Sequence, residues 1–147
     1  VHSHIDADRS LGFGLKRLQQ VLRARMDATL ARHGLTTPQY LVLALLAEHP
    51  GISNSELARR SAVAAPTMLR ILDALGRAGY VTRAERSPQL RTRGTALTDR
   101  GARQLAAAGD DVQRYEDLLL AQAAPEHVPV ILSWMRACAE ELTARQP

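Results

Sequence analysis

Apolar residues near the start of the chain fall at Leu11, Leu15, Leu18, Leu22, Met26 and Leu30, intervals of three or four that draw one stripe along a helix. The pattern predicts a long amphipathic first helix over about 8–32. Thr36 and Thr37 then precede Pro38. A threonine cap followed by proline in the first turn is a helix start, because proline lacks only an N–H that would be unpaired there. The second helix, to about His49, is apolar on nearly every face from Tyr40 to Leu46, which marks it as the buried centre. His49-Pro50-Gly51 ends it, and Ser53-Asn54-Ser55-Glu56 reads as a capping box opening a short third helix to about Ser61.

Ser61-Ala62-Val63 is a tight turn, and a fourth helix follows from about Ala65 to Ala78, with Pro66 in its first turn and Gly79 as its stop. Tyr80–Ala84 and Arg93–Leu97 are short runs with β-forming residues, joined by the polar segment Glu85 to Thr92, and predict a hairpin. Thr98 caps a fifth helix reaching about Ala123, with Leu105, Val112, Tyr115 and Leu119 inward. Pro125 starts a sixth, on which Val128, Ile131, Met135, Cys138 and Leu142 recur as an inward stripe.

Helix, tight turn, helix, strand, arginine-rich loop and strand are the layout of a winged helix-turn-helix. The expected fold class is mainly α with a small β wing and long N- and C-terminal helices. The chain is expected to be one domain over 1–147, with a reading head at 36–100 and dimerisation helices at 8–33 and 101–145. The terminal helices carry apolar stripes that one short domain does not easily cover, so pairing with a second copy across a two-fold axis is expected.

Charge agrees with a polyanionic partner. Residues 53–104 hold ten arginines against four acids, a net +6 in a chain whose total is +4. Eighteen of the nineteen basic residues are arginine, Lys16 being the exception, so a lone arginine carries little weight. The single cysteine, Cys138, excludes an intrachain disulfide and zinc patterns with two or more thiolates, and its place on the sixth helix predicts a small buried apolar role. No apolar run reaches the roughly 18 residues of a membrane span, and the polar start is unlike a signal peptide, so a soluble, cytoplasmic protein is expected. No glycine-rich phosphate loop, nucleophile elbow or paired His and carboxylate spacing points to catalysis, so neither an enzyme nor a cofactor is expected. No metal site is expected either. His2 and His4 make only a weak pair, and His33, His49 and His127 sit at helix ends.

In this layout the fourth helix enters the major groove N-terminal half first, since that groove admits a helix and its edges distinguish all four base pairs. With Met68, Ile71, Leu72 and Leu75 toward the core, Ala64, Ala65, Thr67, Leu69 and Arg70 face outward. Thr67 and Arg70 are the polar readers, Arg70 as a bidentate guanine contact or a phosphate clamp. Leu69 either touches a thymine methyl or, with a small rotation of the helix, becomes a further core residue, the reading favoured here. Arg86, Arg91 and Arg93 surround the wing tip, where a guanidinium can enter a narrow minor groove. Arg91 is the first choice for that contact, while Arg83 and Arg93 can instead line the backbone. Ser53, Asn54 and Ser55 offer hydroxyls, an amide and free N–H groups to a phosphate.

Leu35-Thr36-Thr37-Pro38-Gln39-Tyr40 with Leu43, Ser55-Glu56-Leu57-Ala58, Leu72-Asp73-Ala74-Leu75 with Gly79-Tyr80-Val81, and Arg91 with Leu97-Thr98 and Gly101 together resemble the multiple-antibiotic-resistance-regulator (MarR) family. The resemblance spans essentially the whole chain and rests on the order and spacing of these motifs. It implies a homodimeric transcription factor, usually a repressor, binding a pseudo-palindromic double-stranded DNA operator and often released by a small aromatic or phenolic compound. It also implies a ligand cleft between the dimer helices and the head, for which Phe13, Arg17 and Tyr40 are candidates: a ring, a cation for a carboxylate or phenolate, and a hydroxyl. The family's wing carries an Asp two residues before its Arg. Here Gln89 stands in that slot while Arg91 remains, and a neutral Gln cannot ion-pair with it. The competing readings are a winged-helix module that binds protein rather than DNA, and a metal-responsive regulator.

Overall fold

Ser10 opens the first helix: its Oγ accepts from the Phe13 N–H and ends a short 3₁₀ turn at Ala7–Arg9. The computed structural model describes residues 6–83 and 94–145, apart from the Arg83 side chain. Within them run α1 (Leu11–Ala31), α2 (Thr37–Glu48), α3 (Asn54–Arg60), α4 (Ala65–Arg77), β1 (Val81–Arg83), β2 (Thr95–Leu97), α5 (Asp99–Leu120) and α6 (Val128–Ala144). The strands pair antiparallel with Val81 opposite Leu97, Thr82 opposite Ala96 and Arg83 opposite Thr95.

Chain contacts divide these elements into one compact unit up to Val112 and a second from Gln113 onward. In the first, α2 is capped on both counts: Thr36 Oγ1 accepts from the Gln39 N–H, and Gln39 Oε1 accepts from the Thr36 N–H. Its Val42, Leu43 and Leu46 join Leu30, Leu35, Leu57, Met68, Leu72, Leu75, Val81 and Ala108 in one core. Leu30, Leu43, Leu57, Met68, Leu75 and Val42 are the largest side chains wholly removed from solvent. Each such burial contributes about 1.5–3 kcal/mol relative to exposure, which makes this core the anchor of the head. Asp111 and Gln104 of α5 hold the corner after α1. His33 Nε2 lies 2.9 Å from Asp111 Oδ2, Arg32 is 3.7 Å from the same oxygen, and Gln104 donates to the His33 carbonyl.

The start of α5 is fixed to the end of α4 by hydrogen bonds around Thr98. Its N–H donates to the Tyr80 carbonyl at 3.0 Å, and its Oγ1 donates to the Gly79 carbonyl at 2.7 Å while accepting from the Gly101 N–H at 3.0 Å. Gly101 is buried there, and the close approach requires glycine: a β-carbon would overlap the Tyr80 carbonyl oxygen and stand 2.9 Å from both its carbon and Leu97 Cδ1.

On α1 only Leu30 of the apolar stripe is buried, and Leu11, Leu15 and Leu18 are 70%, 41% and 46% exposed, as expected of a stripe that one short domain does not easily cover. In the second unit, Pro125–His127 form a 3₁₀ turn before α6, and no residue of α6 is buried. Ile131, Met135 and Leu142, expected inward, are exposed, and Val128 and Cys138 are only partly covered. Cys138 is half-buried in the single chain, on a helix expected to pair with a second copy. Among the described residues no helix is long and apolar enough to cross a membrane.

Candidate nucleic-acid interface

The head is built on α3, a three-residue turn and α4. Ser53 Oγ accepts from the Glu56 N–H at 3.1 Å, which starts α3, and Leu57 and Ala58 seat it on the core. The turn closes with the Val63 N–H on the Ala58 carbonyl at 3.0 Å and the Ala62 N–H on the Arg59 carbonyl at 3.2 Å. This Schellman arrangement puts its central residue in the left-handed region, and here that residue is Ala62 at φ 51° rather than the usual glycine. The reverse half of the expected capping box does not form. The Glu56 carboxylate turns outward, accepting from Arg59 Nε and Nη2 at 2.8 and 2.6 Å and from Arg60 Nε at 2.8 Å. Those two guanidinium groups outcompete one backbone N–H for the carboxylate, and they hold its pKa at about 2, below the usual 4.5. Arg60 also donates to His49 Nε2 at 2.8 Å. Arg59 and Arg60 thus share one carboxylate, which the net +6 of residues 53–104 already counts.

On α4, Met68, Leu72 and Leu75 are buried at positions i, i+4 and i+7, and this fixes the rotation of the helix. Ala64, Ala65, Pro66, Thr67 and Arg70 are exposed. Leu69 is 48% exposed, which overturns its favoured placement in the core: it lies one residue, about 100° of turn, past Met68. Ala64 caps α4 without a side-chain hydrogen bond, which leaves the Ala65 and Thr67 N–H groups of the first turn, Pro66 having none, without a capping side chain. The outer surface of α4 combines these N–H groups, one hydroxyl, one guanidinium and an open leucine.

At the other end of the head, Asn54 is half-buried in the first turn of α3 and Ser55 is exposed. The Thr95 hydroxyl, at the base of β2, donates to Asn54 Oδ1 at 3.2 Å. Nothing in the sequence pattern marked Thr95, since a threonine in a strand is an ordinary β-former; only its inward register in a two-residue alternation carries a signal. The Arg100 guanidinium lies 5.5 Å from the centre of the Tyr80 ring, another cation the sequence reading did not single out. Arg83 lies in β1 with its side chain outside the described residues, as do Arg86, Gln89, Arg91 and Arg93 altogether.

Phe13 and Arg17, one turn apart on α1, stand away from Tyr40 in the single chain. Thr37, at the entry to α2, donates to Asp27 Oδ1 at 2.5 Å. From Asp27, Arg17 and Phe13 lie ten and fourteen residues back along α1, about 15 and 21 Å of helix. Both are exposed, whereas Tyr40 packs against the core with its hydroxyl 3.6 Å from where a β-carbon on Gly109 would sit, and burial raises its pKa. His2 and His4 lie outside the described residues, and among those described no group of three or more His, Cys, Asp or Glu is arranged to hold a metal ion.

The MarR family model matches residues 35–89, from the corner before α2 into the wing. The HTH-type transcriptional repressor Rv2887 of Mycobacterium tuberculosis is 38% identical over 110 residues, covering 75% of this chain and 78% of that relative. The transcriptional repressor CouR, in a structure bound to a 23-mer DNA duplex, superposes with a TM-score of 0.79 at 30% identity, covering 93% of this chain and 99% of that one. Rv2887 in complex with salicylic acid superposes at 0.66 with 32% identity, covering 90% and 96%.

Proposed function

Because this chain belongs to the MarR family, we propose that it is a homodimeric, sequence-specific DNA-binding transcriptional regulator of the repressor class, released from its operator by a small aromatic ligand. It acts in the cytoplasm by binding and performs no chemistry on its partners. The observation that carries the reading is the outer surface of α4: Ala64, Ala65, Thr67, Leu69 and Arg70 stand open above buried Met68, Leu72 and Leu75. A helix so presented enters the major groove N-terminus first, where uncapped N–H groups suit a phosphate and Arg70 suits a guanine edge. Leu69 reaches a thymine methyl. Ser53, Asn54 and Ser55 meet the backbone, and Arg83, Arg86, Arg91 and Arg93 supply the wing's contacts to backbone and minor groove.

The domain assignment follows: a head at 36–100, with 8–33 and 101–145 as dimerisation segments. Exposed leucines on α1, and exposed Ile131, Leu132, Trp134 and Met135 on α6, are each more apolar surface than a helix leaves in water without a partner. The effector class draws on relatives: CouR has been solved bound to p-coumaroyl-CoA and Rv2887 with p-aminosalicylic acid, so an aromatic carboxylic acid or its thioester is the chemistry to try first. Arg17 pairs with the anionic end, and Phe13 and Tyr40 contact the ring.

The test is a titration of the purified protein against a fluorescent duplex from just upstream of its own coding region, at two salt concentrations, with unrelated DNA as competitor. Saturable binding of one dimer that survives competitor is expected, and addition of aromatic acids then reverses it. Binding that is weak and lost with salt on every duplex contradicts the reading. An effector response retained by Phe13→Ala, Arg17→Ala and Tyr40→Ala alike removes those three from the pocket.

A further inference from the structure

Thr95 is 3% exposed, and it is one of two buried polar residues among those described. It sits on the inward side of β2 opposite Arg83, where the end of α2, the start of α3 and the middle of α4 converge. One cavity of about 350 Å³ touches it together with Leu72, Asp73 and Gly76, and another of about 270 Å³ with Leu46, Pro50 and Gly51. A valine has the same shape and fits an inward strand position without burying a hydroxyl. Threonine there is tolerable only because the hydroxyl is satisfied, and its partner is a side chain 41 residues away rather than local backbone: Asn54 Oδ1 at 3.2 Å. An Asn side chain has one acceptor end and one donor end. With Oδ1 engaged by Thr95, the Nδ2 donors are turned away from the sheet at the first turn of α3.

We propose that Thr95 is a positioning residue for DNA recognition, its hydroxyl tying the base of the wing to α3 and orienting the Asn54 amide so that its N–H donors meet a backbone phosphate. This rests on the DNA-binding reading above and adds a role to it. β2 follows the wing segment and Asn54 opens the short helix before the reading helix, so this bond ties the strand after the wing to the helix-turn-helix.

The experiment compares the wild-type chain with Thr95→Val and Thr95→Ser on a duplex enriched from a random library by the wild-type protein. Three quantities are read: affinity, hydroxyl-radical protection along the duplex, and thermal stability. Thr95→Val keeps or raises the melting temperature, loses about fivefold to tenfold in affinity, as loss of one hydrogen-bonded phosphate contact implies, and loses protection at the outer, wing-contacted positions while the centre stays protected. Thr95→Ser restores affinity to within about threefold and restores the outer protection. Wild-type affinity and footprint in Thr95→Val, or protection lost evenly along the site, overturns the proposal. A wild-type chain that enriches no sequence fails earlier, at the DNA-binding reading itself.

Discussion

Replacing Gly101 by alanine adds one methyl group where α5 crosses the Tyr80 carbonyl, and the obstacle is backbone rather than a side chain able to rotate away. The new carbon would overlap the carbonyl oxygen and come within 2.9 Å of Leu97 Cδ1, against the 3.4–4 Å of ordinary contact. Relief requires the first turn of α5 to move off Tyr80, which breaks the 3.0 Å bond from the Thr98 N–H. Overpacking of this kind costs up to about 3 kcal/mol, and the lost hydrogen bond adds about 1. Alanine's better helix propensity returns about 1, leaving a net loss of about 3 kcal/mol. For a chain of this length that is a fall of roughly 6–12 °C in Tm. The control is Gly76→Ala in α4, where a β-carbon meets nothing within 4 Å. There only the propensity gain of up to about 1 kcal/mol remains. Urea and thermal unfolding, at fixed protomer concentration because a dimer's stability depends on it, give both numbers. A Gly101→Ala chain as stable as the wild type would refute the close-approach argument.

Four further outcomes are expected. Ala62→Gly removes the strain of a left-handed alanine in the turn between α3 and α4, about 1–2 kcal/mol, against about 0.5–1 kcal/mol of extra unfolded-chain entropy, so urea unfolding should find the variant unchanged or up to about 1.5 kcal/mol more stable. The Glu56 carboxyl is lowered from 4.5 to about 2, so its pairing with Arg59 and Arg60 supports the fold above the unfolded value and is lost as pH falls through the folded one. Carbon-detected NMR titration should therefore place its midpoint near 2, and Glu56→Gln should flatten the acid limb of Tm against pH; a midpoint at 4.5 contradicts the ion-pair geometry. Arg91→Ala should flatten log K against log salt by about 0.9 if the arginine neutralises one phosphate, whereas Arg70→Ala should relax preference at one base pair by about 1–3 kcal/mol in a mutated-operator panel.

What the sequence made legible is local. Thr36 with Pro38 placed the start of α2, Ser53 that of α3, and Gly79 the stop of α4, because each is a residue whose own backbone or hydroxyl sets the boundary. The rotation of α4 was legible through Met68, Leu72 and Leu75, and Leu69 went astray because hydrophobicity alone does not resolve a 100° step around a helix. Glu56 was assigned to the backbone of its cap, yet the two arginines three and four residues on are stronger partners. The pairs that tie distant elements together, Thr95 with Asn54 in the head and His33 with Asp111 between α1 and α5, join residues 41 and 78 positions apart, and no periodicity or cap reports them. The apolar stripes of α1 and α6 were visible as stripes, but which surface covers them is not a property of one chain's pattern.

The most direct measurement of the central claim is selection of a random duplex library on the purified protein, followed by sequencing of the bound fraction. Two copies of the α4 head related by a two-fold axis predict enrichment of one imperfect inverted repeat whose half-sites lie about one helical turn, roughly 10 bp, apart. Loss of no particular sequence from the unbound pool, or enrichment of a single unrepeated half-site, would contradict a dimeric DNA reader.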